Sequence, residues 1–258
     1  GFFDVKLVVG MNGCRDTIIK PDYMYVAPPD ARFSVIQNCA DPYSVTFQDN
    51  SLGPDTWFWS FGDGATSSIQ NPVHTFASRG TYAPTLTVED TVNQCFDVEA
   101  LSITIADPVS DFYADQVIGC RPFTTTFRDT SIDAVSYQWT VGTLTSVQRN
   151  PTFTFNTPGI YDAQLVITDV NGCKDTMLRP AYITVLGPTS DFAASPTVGC
   201  SPLPVQFGDS SQSFMAPIVS WNWKFGDGDS SLLQHPLHVY DSTGSFRVSL
   251  TVTDANGC

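Results

Sequence analysis

Four glycine-led segments share one pattern along the chain: FFDVKLVV after Gly1, TYAPTLTV after Gly80, IYDAQLVI after Gly159 and SFRVSLTV after Gly244. Recurrence at a period of about 80 residues makes the chain an array of like units. That period exceeds the roughly 20 to 50 residues of a one-motif solenoid and suits a small self-contained domain. The cysteines keep the same beat: Cys39, Cys120 and Cys200 form one series, and Cys14, Cys95, Cys173 and Cys258 a second. Function has to be sought first in what an array does.

Inside each copy apolar residues alternate with small or polar ones. Tyr82, Pro84, Leu86 and Val88 alternate with Thr81, Ala83, Thr85 and Thr87, and the same order governs Phe3, Val5, Leu7, Val9; Tyr161, Ala163, Leu165, Ile167; and Phe246, Val248, Leu250, Val252. A period of two rich in β-branched residues predicts a half-buried strand. A second alternating set, Trp57, Trp59, Phe61, returns as Tyr137, Trp139, Val141 and as Trp221, Trp223, Phe225. Its regular register places Trp59, Trp139 and Trp223 in the core. Turn clusters at 38–42, 62–64, 93–94 and 171–172 separate strand signals about every ten residues, and no helical stripe intervenes, which predicts a seven-stranded β-sandwich.

With 42% apolar residues the chain folds, and a formal charge of −14 argues against nucleic acid or anionic membrane as partner. No apolar run is long enough to span a bilayer, so direct membrane insertion is not expected.

The motif WFWSFGDG at 57–64, followed by NPVHTF at 71–76 and Gly80-Thr81-Tyr82, returns as WNWKFGDG at 221–228, HPLHVY at 235–240 and Gly244-Ser245-Phe246. These residues resemble the PKD domain, an immunoglobulin-like sandwich. The middle copy keeps NPTFTF at 150–155 but reads YQWTVGTL at 137–144, without the Phe-Gly-Asp-Gly turn. The resemblance covers essentially the whole chain and implies an all-β array of tandem immunoglobulin-like (PKD-type) sandwiches forming an elongated rod. On this reading 1–27 are the last strands of a preceding repeat, 28–107 a repeat, 108–187 a degenerate repeat, and 188–258 a repeat lacking its last strand. The expectation is a piece of something longer, whose open sheet edge is closed by continuation of the chain or by a strand from a neighbouring subunit, for which 1–27 are an available donor; continuation is the preferred reading. The segments VIGCRP at 117–122 and TVGCSP at 197–202, with Asn-Gly-Cys later in the repeat, are similar to those of large secreted surface proteins of Bacteroidota, including gliding-motility adhesins. The resemblance implies an extracellular, cell-surface spacer or adhesion unit and no enzyme. Its partners would be neighbouring repeats of the same chain, other copies of the filament or surface glycans.

Seven cysteines in such a chain imply disulfides and an oxidising compartment. Pairing within a repeat would join Cys39 to Cys95, Cys120 to Cys173 and Cys200 to Cys258. In an immunoglobulin-like sandwich, however, the A–B and F–G turns lie at opposite ends, about 30 Å apart for strands of this length, whereas a disulfide needs Cα atoms within about 7 Å. The neighbour of an A–B turn is the F–G turn of the next domain. That topology favours Cys39 with Cys173 and Cys120 with Cys258, leaving Cys14, Cys95 and Cys200 for domains elsewhere; pairing within repeats and bonds between chains are the alternatives. Short Pro-containing linkers at 27–30, 106–110 and 186–190 agree with stiffness.

Gly62, Asp63, Gly64 and Gly226, Asp227, Gly228 read as hairpin turns, with Asp accepting local amides and Gly taking positive φ. His74 and His238 share a repeat position occupied by Phe153 in the middle copy, so they read as packing residues. No nucleophile elbow, zinc-protease helix or phosphate loop occurs. No cofactor is expected; calcium is the one metal to consider, on Asp49, Asp55, Asp129 and Asp133 in turns after strand B. The plainer reading is that Asp49, Asp129 and Asp209 cap turns. An alternative function, a carbohydrate-binding or accessory module of a secreted hydrolase, would draw on exposed aromatics such as Phe58, Tyr113 and Phe214.

Overall fold

The computed structural model of the protein describes residues 1–25 and 29–258, and among these it is all-β, with no helix. Residues 27 and 28 of the linker expected at 27–30, and with them the boundary at 27–28, lie outside the described residues. Two compact units form: Gly1–Pro108 with Thr168–Lys174, and Val109–Ile167 with Asp175–Cys258.

The first unit begins with a hairpin of Phe2–Met11 and Cys14–Tyr25, paired from Met11 opposite Cys14 to Phe2 opposite Tyr25 with a register shift between Phe3 and Val5. Asn12 and Gly13 connect them at φ of 50° and 88°, the positive values that a two-residue hairpin turn needs. The alternation of Phe3, Val5, Leu7 and Val9 predicts a half-buried strand, and here the structure differs: Phe3, Leu7 and Val9 are 56%, 57% and 53% exposed. The hairpin is a two-stranded sheet of its own, and no second sheet covers its apolar face among the described residues.

The sandwich that follows has one sheet of Phe33–Asn38, Asp41–Asp49 and Val73–Thr75, and a second of Cys95–Ala100, Thr85–Asp90, Thr56–Ser60 and Thr66–Ser67. Pro84 has no N–H to give to a ladder, so the strand after Gly80 breaks there. Gly80–Tyr82 pairs with Ile103–Ile105, while Thr85–Asp90 runs between Thr56–Ser60 and Cys95–Ala100. Phe33, Phe47, Trp59, Leu86 and Val88 meet in the core, each such burial contributing about 1.5–3 kcal/mol.

In the second unit, Phe112–Ala114, Phe123–Asp129 and Thr152–Phe155 face a sheet that contains Ser136–Val141, Leu144–Ser146, Gly159–Thr168 and Lys174–Thr189. Ala163 stands where the first repeat has Pro84, and Gly159–Thr168 is accordingly one unbroken strand. Ile118–Cys120 lies parallel to the last part of Lys174–Thr189, with Cys120 opposite Leu186. That strand then continues into the following repeat, where Gly187 pairs with Phe214 and Thr189 with Gln212.

The third repeat has sheets of Phe192–Ser195, Leu203–Asp209, Leu237–Tyr240 and of Ser230–Ser231, Ile218–Lys224, Ser249–Asp254. Ser249–Asp254 is a sheet edge, and Leu203, Val205, Phe246 and Val248 line a cleft of about 500 Å³. In the second repeat the equivalent edge is covered by Lys174–Thr189, with Ile183 and Val185 fully buried.

Candidate functional site

Three features recur: a buried Trp in each repeat, an acidic turn in the first and third, and a cysteine joint between consecutive repeats. Trp59, Trp139 and Trp223 are each fully buried. Each meets a Phe edge-to-face, with centroids 5.1, 5.0 and 5.2 Å from Phe33, Phe112 and Phe192. A buried indole N–H needs an acceptor. It finds one in the loop after the next strand, donating to the carbonyls of Ile69 (3.0 Å), Gln148 (2.9 Å) and Leu233 (2.9 Å).

At the joints, Cys39 is bonded to Cys173 and Cys120 to Cys258, both with Cα atoms 5.3 Å apart, across sequence separations of 134 and 138. The Asn-Gly-Cys turns are shaped to present these thiols. Asp169 Oδ1 accepts from the amides of Asn171 (2.9 Å) and Cys173 (2.8 Å), and Asp254 Oδ1 from those of Asn256 and Cys258 (3.0 Å each). Gly172 and Gly257 take φ of 86° and 82°, which only glycine adopts without strain. The first turn is also tied to its neighbour repeat, because Asn171 Nδ2 donates to the Thr104 carbonyl at 2.9 Å. Cys14, Cys95 and Cys200 are exposed thiols.

In the two Gly-Asp-Gly turns, Asp63 Oδ1 accepts from Ala65 N (3.0 Å) and Asp227 Oδ1 from Asp229 N (3.1 Å), while the glycines take φ between 85° and 110°. A side chain at Gly62 or Gly226 would collide with the backbone of Ala83 or Arg247, at 2.9 and 2.7 Å. The second carboxylate oxygens meet His74 Nε2 at 2.6 Å and His238 Nε2 at 2.7 Å. Each imidazole is stacked on Phe61 or Phe225 with centroids 4.1 Å apart and planes 3° apart. The histidines are thus packing residues that also pin the turn, a pairing the sequence reading did not find. Its signal was the joint loss in the middle repeat, where Thr143 replaces the Asp and Phe153 the His. Burial pushes Asp63 and Asp227 up, but hydrogen bonds from the turn amides and the histidines outweigh it and hold both below the ordinary carboxylate value.

This linkage predicts non-additivity. His238→Phe leaves Asp227 without its partner and should destabilise the third repeat by about 1–2 kcal/mol. Adding Asp227→Thr, the combination found in the second repeat, should recover part of that loss; equal and additive losses in a double-mutant cycle by urea unfolding would contradict the coupling.

The carboxylates considered for calcium have other occupations. Asp49 Oδ1 accepts from Ser51 N (2.9 Å) and Oδ2 from Trp57 Nε1 (2.7 Å) and Gln70 Nε2 (2.9 Å). Asp209 repeats this with Ser211, Trp221 and Gln234, and Asp129 with Ser131 and Arg149. Burial raises Asp49 and Asp209, yet these donors prevail and both are held low. Asp55 Oδ2 accepts from Thr91 N (3.1 Å) and Oγ1 (3.0 Å), and Asp133 sits in a turn at φ 57°. Among the described residues, the ligand-type cluster is instead Asp227, Asp229 and His238. Nor do the aromatics considered for sugars form a row. Phe58 and Tyr113 are exposed on separate sheets, and Phe214 is half-buried.

Comparison with known proteins gives a match of the PKD domain model to residues 26–105, 106–185 and 187–258. Over 54 residues the chain is 41% identical to the collagenase ColA of Bacillus cereus, which covers 20% of this chain and 6% of the collagenase, so the chain spans only a small part of that relative's length. Similar solved structures include the PKD1 domain of the Vibrio cholerae metalloprotease PrtV, at 29% identity, TM-score 0.28, and coverage of 31% of this chain and 98% of that one. A tetra-tandem repeat from the extending region of a large adhesion protein is 14% identical, with TM-score 0.36, and covers 99% of this chain and 78% of that one.

Proposed function

The chain belongs to the PKD domain family, and we propose that its three repeats are a structural spacer or stalk segment of a large secreted cell-surface adhesin or extracellular filament. PKD-type repeats are non-catalytic modules, and two disulfides in a chain of this type fit an extracellular compartment. The observation that carries the reading is that the two disulfide spans overlap. One closes 39–173 and the other 120–258, each tying the first turn of one repeat to the Asn-Gly-Cys turn of the next.

Overlap has a mechanical consequence. Even if every sheet unfolds, the covalent path from Cys39 to Cys258 crosses to Cys173, returns along 120–173 and crosses again from Cys120. At about 3.6 Å per residue that path extends to about 190 Å, against about 790 Å for 39–258 with the bonds reduced. A spacer built this way loses little length control when a repeat unfolds under load. Pulling the chain by its ends should therefore give a fully unfolded length about fourfold greater for this region in reductant than without it; equal lengths in both conditions would remove the support.

A second reading, an accessory module of a secreted hydrolase, is favoured by the collagenase segments that the chain resembles. Its partner would be the hydrolase's polymer or surface glycans, and pull-down of the oxidised chain on insoluble collagen and on polysaccharides separates it from the spacer reading.

A further inference from the structure

We propose that the Gly-Asp-Gly turn of the third repeat is a binding site for one divalent transition-metal ion of the zinc type, held by Asp227, Asp229 and His238. One ligand atom from each of the three lies within 4.8 Å of the others. A nitrogen with two carboxylate oxygens suits a borderline ion, which takes three protein ligands and completes its shell with water.

The donors are oriented before any ion arrives. His238 is stacked on Phe225 at 4.1 Å and meets Tyr240 edge-on at 4.5 Å, so its ring is fixed with Nε2 toward the turn, 2.7 Å from Asp227 Oδ2. Asp227 Oδ1 holds the Asp229 amide at 3.1 Å, and the Phe225 amide donates to the Asp229 carbonyl at 3.1 Å, fixing the backbone that carries the third ligand. Ligand atoms around a tetrahedral zinc stand about 3.3 Å apart, so binding asks for side-chain adjustments of an ångström or so. Among the described residues the Asp229 carboxylate has no hydrogen-bond or ion-pair partner, and it stands beside Asp227, a like-charge placement that a cation would relieve.

The other repeats show what the site needs. The first has the same His–Asp pair, His74 with Asp63 at 2.6 Å, but Ala65 at the place of Asp229. The pair therefore serves the fold without a third ligand, and Asp229 is additional to it. The first repeat also shows that Ala is tolerated there, since Ala65 donates to Asp63 at 3.0 Å and accepts from Phe61 at 3.1 Å, as Asp229 does with its own neighbours.

The test uses the full chain with disulfides intact and the exposed thiols of Cys14, Cys95 and Cys200 alkylated, titrated calorimetrically with Zn²⁺ alone. One saturable site per chain is expected. Asp229→Ala should weaken it about tenfold or more while leaving the melting temperature of the metal-free chain unchanged. Ala65→Asp should raise the stoichiometry from one to two. The proposal is overturned by absence of saturable binding, by undiminished binding in Asp229→Ala, or by a preference for Ca²⁺ over Zn²⁺ at this turn.

Discussion

Replacing Cys173 by Ser is expected to destabilise the first unit by about 5 kcal/mol, on the chain-entropy estimate for a closed loop of 134 residues. Asp169 organises the turn by itself, and Asn171 adds one hydrogen bond to Thr104. Most of the effect therefore comes from freeing the unfolded chain. Cys258→Ser should cost the second unit a similar amount through its 138-residue span. Substituting Cys14, Cys95 or Cys200, all exposed, should shift unfolding by less than about 0.5 kcal/mol. Differential scanning calorimetry of the five variants in oxidising buffer, read as separate transitions because the chain is multi-domain, checks the contrast. The stapling account would be contradicted by losses of similar size for Cys95 and Cys173.

The second large effect is in the cores. Trp139→Ala should cost the second repeat about 3–5 kcal/mol. The indole is fully buried, lies edge-to-face with Phe112 at 5.0 Å and against Phe127 at 5.4 Å, and satisfies the Gln148 carbonyl. Truncation removes the packing, leaves a cavity and strands an acceptor together. Tyr137, two residues away on the same strand and only half-buried, gives the comparison: Tyr137→Ala should cost about half as much or less. Urea unfolding followed by far-UV circular dichroism, which reports all the sheets, measures both, and equal losses would show that the alternation misidentifies which residue anchors the sandwich.

The fold was legible because one pattern was written several times. The alternation at 82–88 means little alone, but its repetition at 161–167 and 246–252 fixes strand type and period together, and the structure is all-β in tandem PKD-type domains. Long-range facts were harder. Two cysteine pairings fit the spacing of the series, and only the opposite placement of turns in a sandwich separates them. The exposed hairpin at 1–25 escaped the reading because alternation reports which face a strand would bury, not whether anything covers it. In the sequence Pro84 reads as one more apolar residue of a strand, although its missing N–H divides that strand between two partners. The His–Asp pair stayed hidden because each half had a sufficient local explanation. Only their loss in the same repeat, as Thr143 and Phe153, links them, and that requires comparing two positions rather than reading one.

The most direct test of covalent stapling between consecutive repeats is a non-reducing peptide map of the protein from its native source, scored for the partner of Cys173. Recovery of the Cys173 peptide joined to that of Cys39 is the predicted result. Recovery joined to Cys120, within the same repeat, would contradict the account and leave three independently closed domains.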